Sequence, residues 1–301
     1  MSNLLRKKSL DLILADAEEP EHQMKRTLGP LQLIALGIGA IVGAGIFATI
    51  GTAAAGGGHH DGAGPALVIS ILITAIGCGF CALCYAEFAS LVPIAGSAYT
   101  YSYATLGEFI AWIIGWDLII EYAMGNVAVA VTWSGYFVEL LRGLGITIPA
   151  WMSTDLSTAM KTPGFMNAAP HIAGIPIVLN IPAAAITLLV TWVLVIGIKE
   201  SARFNTAMVV LKLFILIFFI IVGALYVKPT NWHPFAPNGW AGIGTGAALI
   251  FFAYIGFDAV STAAEECRNP QRDMPVGMIG SLLICTVLYV ATALVLTGMV
   301  P

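Results

Sequence analysis

Two apolar stretches, each inside a run long enough to cross a bilayer, are interrupted where a membrane helix should continue: GIGAIVGAGIF at residues 37–47 and AYIGFDAVSTAAEE at residues 253–266. Gly37, Gly39, Gly43 and Gly45 crowd the first, and Gly256 with the lone carboxylate Asp258 interrupts the second. In hydrocarbon an unpaired peptide N–H or C=O is costly, so a broken helix persists only where protein, water or a ligand completes the exposed groups. An isolated pair of glycines is usually a close helix contact. Four glycines within nine residues, matched by a second break, point instead to a place where a small solute is held at mid-depth. A dinucleotide fingerprint is a poor alternative, because the run lacks the preceding strand and the acidic partner that such a motif requires.

The chain is 58% hydrophobic and 10% charged, where a soluble domain carries about a quarter charged residues. It reads as an all-α integral membrane protein whose first partner is the lipid bilayer. A net charge of −4 leaves no basic face for nucleic acid. Residues 1–30 form a polar tail carrying Arg6, Lys7, Lys8, Lys25 and Arg26. Its one apolar run, Leu10 to Ala15, is too short and too acid-flanked for a signal peptide. The tail is expected to stay cytoplasmic, in a protein of the cell's inner (plasma) membrane. Cys78, Cys81 and Cys84 recur every third residue without further ligands nearby, which favours small packing residues over a metal or redox motif.

Apolar runs of spanning length occur near residues 31–55, 65–90, 180–198, 206–227, 241–264 and 276–299, and residues 97–142 are too long for one ordinary span. The positive-inside rule arbitrates. With one crossing over 97–142, Lys199, Arg203, Lys212, Arg268 and Arg272 lie at cytoplasmic ends, and only Arg142, Lys161 and Lys228 lie outside. The tyrosines and Glu108 of SAYTYSYATLGEF, 97–109, suit an aqueous interface, so this segment is expected along the cytoplasmic surface. Seven spans result, with Pro301 outside and a Pro- and Gly-rich external loop, 143–178, over the outer mouth. The broken spans are the first and the sixth. That spacing suggests an inverted five-plus-five repeat, with a first set at 31–227 and the start of a second at 241–301, within a transmembrane domain of 31–301. On this reading the chain is truncated.

Four segments, RTLGPLQLIALGIGAIVGAGIF (26–47), CALCYAEFASLVPIAGSAYTYSYATLGEF (81–109), GIKESARFN (197–205) and EECRNPQRDMPVGMIGS (265–281), closely resemble bacterial members of the cationic amino acid transporter family, within the amino acid, polyamine and organocation superfamily. The resemblance implies a leucine-transporter-like fold, with further helices beyond the seventh, including an eighth that closes one side of the site. It also implies uptake of an amino acid substrate by proton symport through alternating access. Amino acid exchange, or sensing without net transport, are the alternatives.

The second half of a broken helix begins with free N–H groups at a positive dipole end, which suits an anion. Gly43, Ala44 and Gly45 would offer these donors to a carboxylate, and Ile41, at the end of the first half, a carbonyl to an ammonium. In the sixth span the carbonyls of Phe252 and Ile255 precede Gly256 and would act likewise; matching positions serve this way in similar transporters. There the aromatic at the position of Phe252 also gates the site, although a lone membrane aromatic is more often simply packed. Glu121 and Asn126 are polar residues on an otherwise apolar third span, where such groups face the bundle interior. Resemblance sets both near the substrate side chain, while an interhelical hydrogen bond explains Asn126 about as well.

Lys212 stands in AMVVLKLFILIFFIIVGALYV with six residues of the span before it. An ammonium there costs at least ~2.5 kcal/mol at mid-membrane, so it must find a partner or lose its proton. In proton-coupled relatives a lysine on the fifth helix stands where sodium sits in sodium-coupled ones, and Lys212 matches it. The resemblance thus makes H+ the coupling ion, with the charged lysine holding the first and eighth helices together. Snorkelling to the interface is the competing explanation. Asp258 and Glu121 are rival proton sites, and Asp117 is a third possibility. No cofactor, metal centre, catalytic constellation or obligate protein partner is expected: His59, His60 and Asp61 suit a solvated external turn, and Glu265, Glu266, Arg268, Asn269 and Arg272 suit surface ion pairs or gate contacts.

Overall fold

The computed structural model describes residues 6–9, 25–57, 60–172, 174–196 and 198–300, with the side chains of 198–205 left aside. Most of the 1–30 tail, His59 and Pro301 fall outside the described residues. The described residues form eleven α-helices. The first is α1, Pro30–Ile41. Its start is set by Pro30 at the first helical position and by the Gln32 side chain, which accepts the Gly29 N–H at 2.8 Å. After a break come one turn of π-helix, Gly45–Thr49, and α2, Ile50–Ala55. Then follow α3 (Leu67–Leu91), α4 (Ser97–Thr105), α5 (Glu108–Gly143), α6 (Leu156–Lys161), α7 (Phe165–Ala168), α8 (Ile181–Ile196), α9 (Ile198–Ala224), α10 (Gly239–Tyr254) and α11 (Pro270–Met299). A 3-10 helix, Asp258–Glu266, continues α10 beyond its own break.

Among the described residues five helices are long and apolar enough to cross a membrane, and the bent α1–α2 pair makes a sixth. The sixteen-residue α8 is a shorter apolar helix in the place expected for the fourth span. The 97–142 region resolves as a short helix, a two-residue link at Leu106 and Gly107, and one unbroken 36-residue helix, α5. That length, about 54 Å at 1.5 Å per residue, exceeds a hydrocarbon core of about 30 Å and leaves room for a single crossing only.

The chain divides into two compact units, residues 1–119 with 211–301 and residues 120–210. In the first, α11 packs along α3 and α1, and α10 packs along α3. Ser70 and Thr74 on α3 donate to the Ile243 and Ala247 carbonyls of α10 at 2.8 and 3.0 Å, stapling the two helices from inside. The apolar core runs through Ile41, Ile46, Ile71, Ile250, Tyr254 and Tyr289. In the second unit the 143–178 loop forms two short helices and a two-stranded hairpin, His171–Ile172 with Ile175–Pro176. Asn180 accepts from the Ser134 hydroxyl at 2.6 Å and caps the start of α8 through the Ala183 N–H.

Three local expectations are corrected. Tyr101 is 5% exposed rather than at an aqueous surface, stacked on Phe88 at 5.2 Å and edge-on to Tyr85 at 6.0 Å. Only Cys78 of the three spaced cysteines packs in the core, while Cys81 and Cys84 are exposed, because a three-residue step on a helix drifts by about 60° around its axis. Gly56–Gly57 and His60–Asp61 pair as two short antiparallel strands rather than an open turn, and His60–Asp61 packs on α10, where a Cβ at Gly242 would collide with the Gly62 carbonyl.

Candidate functional site

The last four carbonyls of a helix have no partner within it and must be completed from outside. In α1 these belong to Ile38, Gly39, Ala40 and Ile41, and each meets a particular group. Ile38 accepts the Val42 N–H at 2.9 Å. Gly39 accepts a hydrogen bond from the Lys212 ammonium of α9. The Ala40 oxygen lies against the second break, where a Cβ added at Gly256 would stand 2.8 Å from it. Ile41 accepts the Tyr289 hydroxyl of α11 at 3.0 Å. The first break is thus a frayed helix end: Val42, Lys212 and Tyr289 donate to three of its carbonyls, and the second break packs against the fourth.

That second break is built the same way. Helix α10 stops at Tyr254, Ile255 adopts φ −56° and ψ 134°, and Gly256 has φ +114°, a conformation that strains any residue with a Cβ. The Ala253 carbonyl in the last turn of α10 accepts the same Tyr289 hydroxyl at 2.8 Å. One buried phenol therefore bridges carbonyls at both breaks. It carries a single proton and donates to only one of them at a time, so a second cationic donor would find an acceptor waiting there. Asp258, 8% exposed, opens the 3-10 helix, where a carboxylate is favoured by the helix dipole.

The glycines at the first break differ in role. Gly45 is buried with the Ala253 main chain directly against it, and a Cβ there would collide with the Ala253 Cα. At Gly43 the nearest atom to an added Cβ is the Ile41 carbonyl oxygen at 4.0 Å, so this main chain borders open space. Gly37 packs against Ser281, whose Cβ would lie 2.6 Å from a Cβ at that position. Donors at the start of a half-helix, beside carbonyls freed at two helix ends, can bind the carboxylate and the ammonium of one small zwitterion.

Of the sequence-derived candidates, Ile41, Gly43, Ala44, Gly45, Phe252, Ile255, Lys212 and Asp258 belong to the first unit. Glu121 and Asn126 lie on the part of α5 in the second unit, and their link to the site rests on the resemblance. Among the described residues no three His, Cys, Asp or Glu side chains gather where they could hold a metal ion. Tyr289 escaped the sequence reading. Its signal was its position: a tyrosine deep within a thirty-residue apolar helix must find a partner for its hydroxyl. Tyr289→Phe is expected to lower stability by about 1–3 kcal/mol, since two buried carbonyls lose the one donor they share. Thermal unfolding in detergent checks this.

Compared with known proteins, residues 28–301 match the amino acid permease family. The chain is 50% identical over 301 residues to the methylthioribose transporter of Bacillus subtilis (strain 168), covering all of this chain and 60% of that protein. It is 49% identical over 300 residues to the branched-chain amino acid permease BcaP of the same organism, covering 99% of this chain and 60% of the permease. To the chloroplastic cationic amino acid transporter 9 of Arabidopsis thaliana it is 41% identical over 280 residues, 92% of this chain and 46% of that protein. The chain therefore spans about 60% of the length of its bacterial relatives.

Proposed function

Because this chain belongs to the amino acid permease family and is a multi-pass membrane protein, we propose that it is the major part of a secondary active transporter that takes up amino acids by proton symport. The observation that carries the proposal is the convergence of the two broken helices: the carbonyls of Ile41 and Ala253 meet at one tyrosine hydroxyl, beside the open main chain of Gly43. The ammonium of an amino acid is the donor those carbonyls suit, and its carboxylate suits the N–H groups of Gly43, Ala44 and Gly45. Phe252 and Ile255 line the second break, with Phe252 as a gate; for Glu121 and Asn126 the resemblance alone implies a part in selecting the side chain. Similar proteins are transporters and permeases, which points away from enzymatic chemistry.

Lys212 carries the coupling proton in this proposal. Charged, it holds the Gly39 carbonyl; neutral, it gives up its strongest hold on α1 and frees the first half of the broken helix. Asp258 and Glu121 are the alternative proton sites. The tail is cytoplasmic and the protein sits in the inner (plasma) membrane.

A second reading is favoured by one relative, the 50%-identical methylthioribose transporter, which implies a neutral solute at the same breaks. Uptake into proteoliposomes of the full-length protein, with an imposed pH gradient, separates the possibilities. Accumulation of a branched-chain or cationic amino acid above its external concentration is the expected result. Accumulation of methylthioribose alone supports the second reading. Exchange without net accumulation, or binding without transport, contradicts proton symport.

A further inference from the structure

The two broken helices are also joined at one of their far ends, by main chain. The Thr27 and Leu28 N–H groups, just before α1, donate to the Glu266 carbonyl at 2.8 and 2.9 Å. In return the Arg268 N–H donates to the Leu28 carbonyl at 2.9 Å, so Leu28 and Cys267 pair as a one-residue parallel bridge. A third segment joins them. The Glu265 carboxylate accepts the Ala95 N–H at 2.7 Å, from the turn between α3 and α4. The seam adjoins an apolar cluster that includes Leu33, Val92, Tyr101, Ala264, Met274 and Cys267, the last 0% exposed.

Two features make the seam separable. Its strands are one residue long, far short of an independently stable pairing, so it can part without melting a helix. The crossing to the α3–α4 turn rests on a charge-assisted hydrogen bond, the strong kind and the kind that a neutral side chain cannot replace. We propose that this seam is a lock on one end of the candidate site: closed, as here, it ties the entry of α1 to the exit of the 3-10 helix; parted, it lets the first half of α1 swing away. Glu265 is the residue that keeps it shut. The proposal rests on the alternating-access reading for its purpose, but its mechanics do not depend on what the protein carries.

Cys267 reports the state of the lock, and Cys78 and Cys285, buried in the helical core, report overall folding. The full-length protein in detergent, without substrate, is treated with N-ethylmaleimide and modification is followed at each cysteine by mass spectrometry. Glu265→Gln keeps the shape and removes the charge, and is expected to speed Cys267 modification about tenfold, the ratio of a charged to a neutral hydrogen bond. Thr27→Pro removes an N–H from the opposite strand and is expected to raise the same rate. Cys78 and Cys285 stay protected in both. A Cys267 rate indistinguishable from the parent's in either variant overturns the proposal, as does a rise at Cys267 matched at Cys78 and Cys285 in both. Because no substrate is present, a protein that opens this way yet accumulates no amino acid refutes the transport reading and leaves the lock standing.

Discussion

Lys212→Met is expected to abolish accumulation of substrate driven by a pH gradient while leaving the protein folded. Methionine fills a similar volume and removes both the charge and the hydrogen bond to the Gly39 carbonyl. Two effects on stability oppose each other. Leaving that carbonyl without its donor costs about 1–3 kcal/mol. Relieving the protein of an ammonium within the span returns a similar amount, at least ~2.5 kcal/mol at mid-membrane. The fold therefore persists and the loss falls on coupling: without a group to carry the proton, the gradient has no hold on the first broken helix. Substrate counterflow, which needs no gradient, is expected to remain measurable. Accumulation in the variant at the parent's level would assign the proton to another group, with Asp258 and Glu121 next in line.

Alanine at Gly45 and at Gly43 is expected to produce two different failures. At Gly45 the new methyl would overlap the Ala253 main chain, and main chain cannot rotate aside as a side chain can. Overpacking of this kind costs about 1–3 kcal/mol and pushes the two breaks apart. Gly45→Ala should therefore lower the thermal unfolding temperature and weaken binding together. At Gly43 the same methyl meets only open space, so Gly43→Ala should unfold at the parent's temperature. Its effect falls on the ligand, because the methyl stands where a carboxylate would approach the N–H groups, and losing a charge-assisted hydrogen bond there weakens binding by about tenfold or more. Thermal unfolding and equilibrium amino acid binding, measured on both variants, check the contrast. Equal destabilisation by the two would mean that both glycines serve packing.

The breaks themselves were legible because glycine density inside a span is a strong local signal, and α1 ends at Ile41 and α10 at Tyr254, at the positions that Gly43 and Gly256 mark. Lys212 was legible for the same kind of reason: a charge inside a span needs a partner, although only the fold identified that partner as the Gly39 carbonyl. What the chain did not disclose depends on approach between distant segments. Gly43 and Gly45 look alike in sequence, yet one borders space and the other lies against Ala253. Tyr289 lies 248 residues from the carbonyl it meets at the first break. The seam between Leu28 and Cys267 is main-chain pairing, which leaves no mark in side-chain type. Tyr101 was misread because an aromatic-rich amphipathic helix suits an interface and a buried ring stack equally well.

In the function proposed above, main-chain groups at the two breaks hold both charged ends of one amino acid. A map of the full-length protein determined with its transported amino acid bound tests this most directly. The carboxylate is expected at the N–H groups of Gly43, Ala44 and Gly45, and the ammonium within hydrogen-bond reach of the Ile41 carbonyl and of a carbonyl of the second break. A substrate seated away from the breaks, or both stretches closed into continuous helices around it, would contradict it.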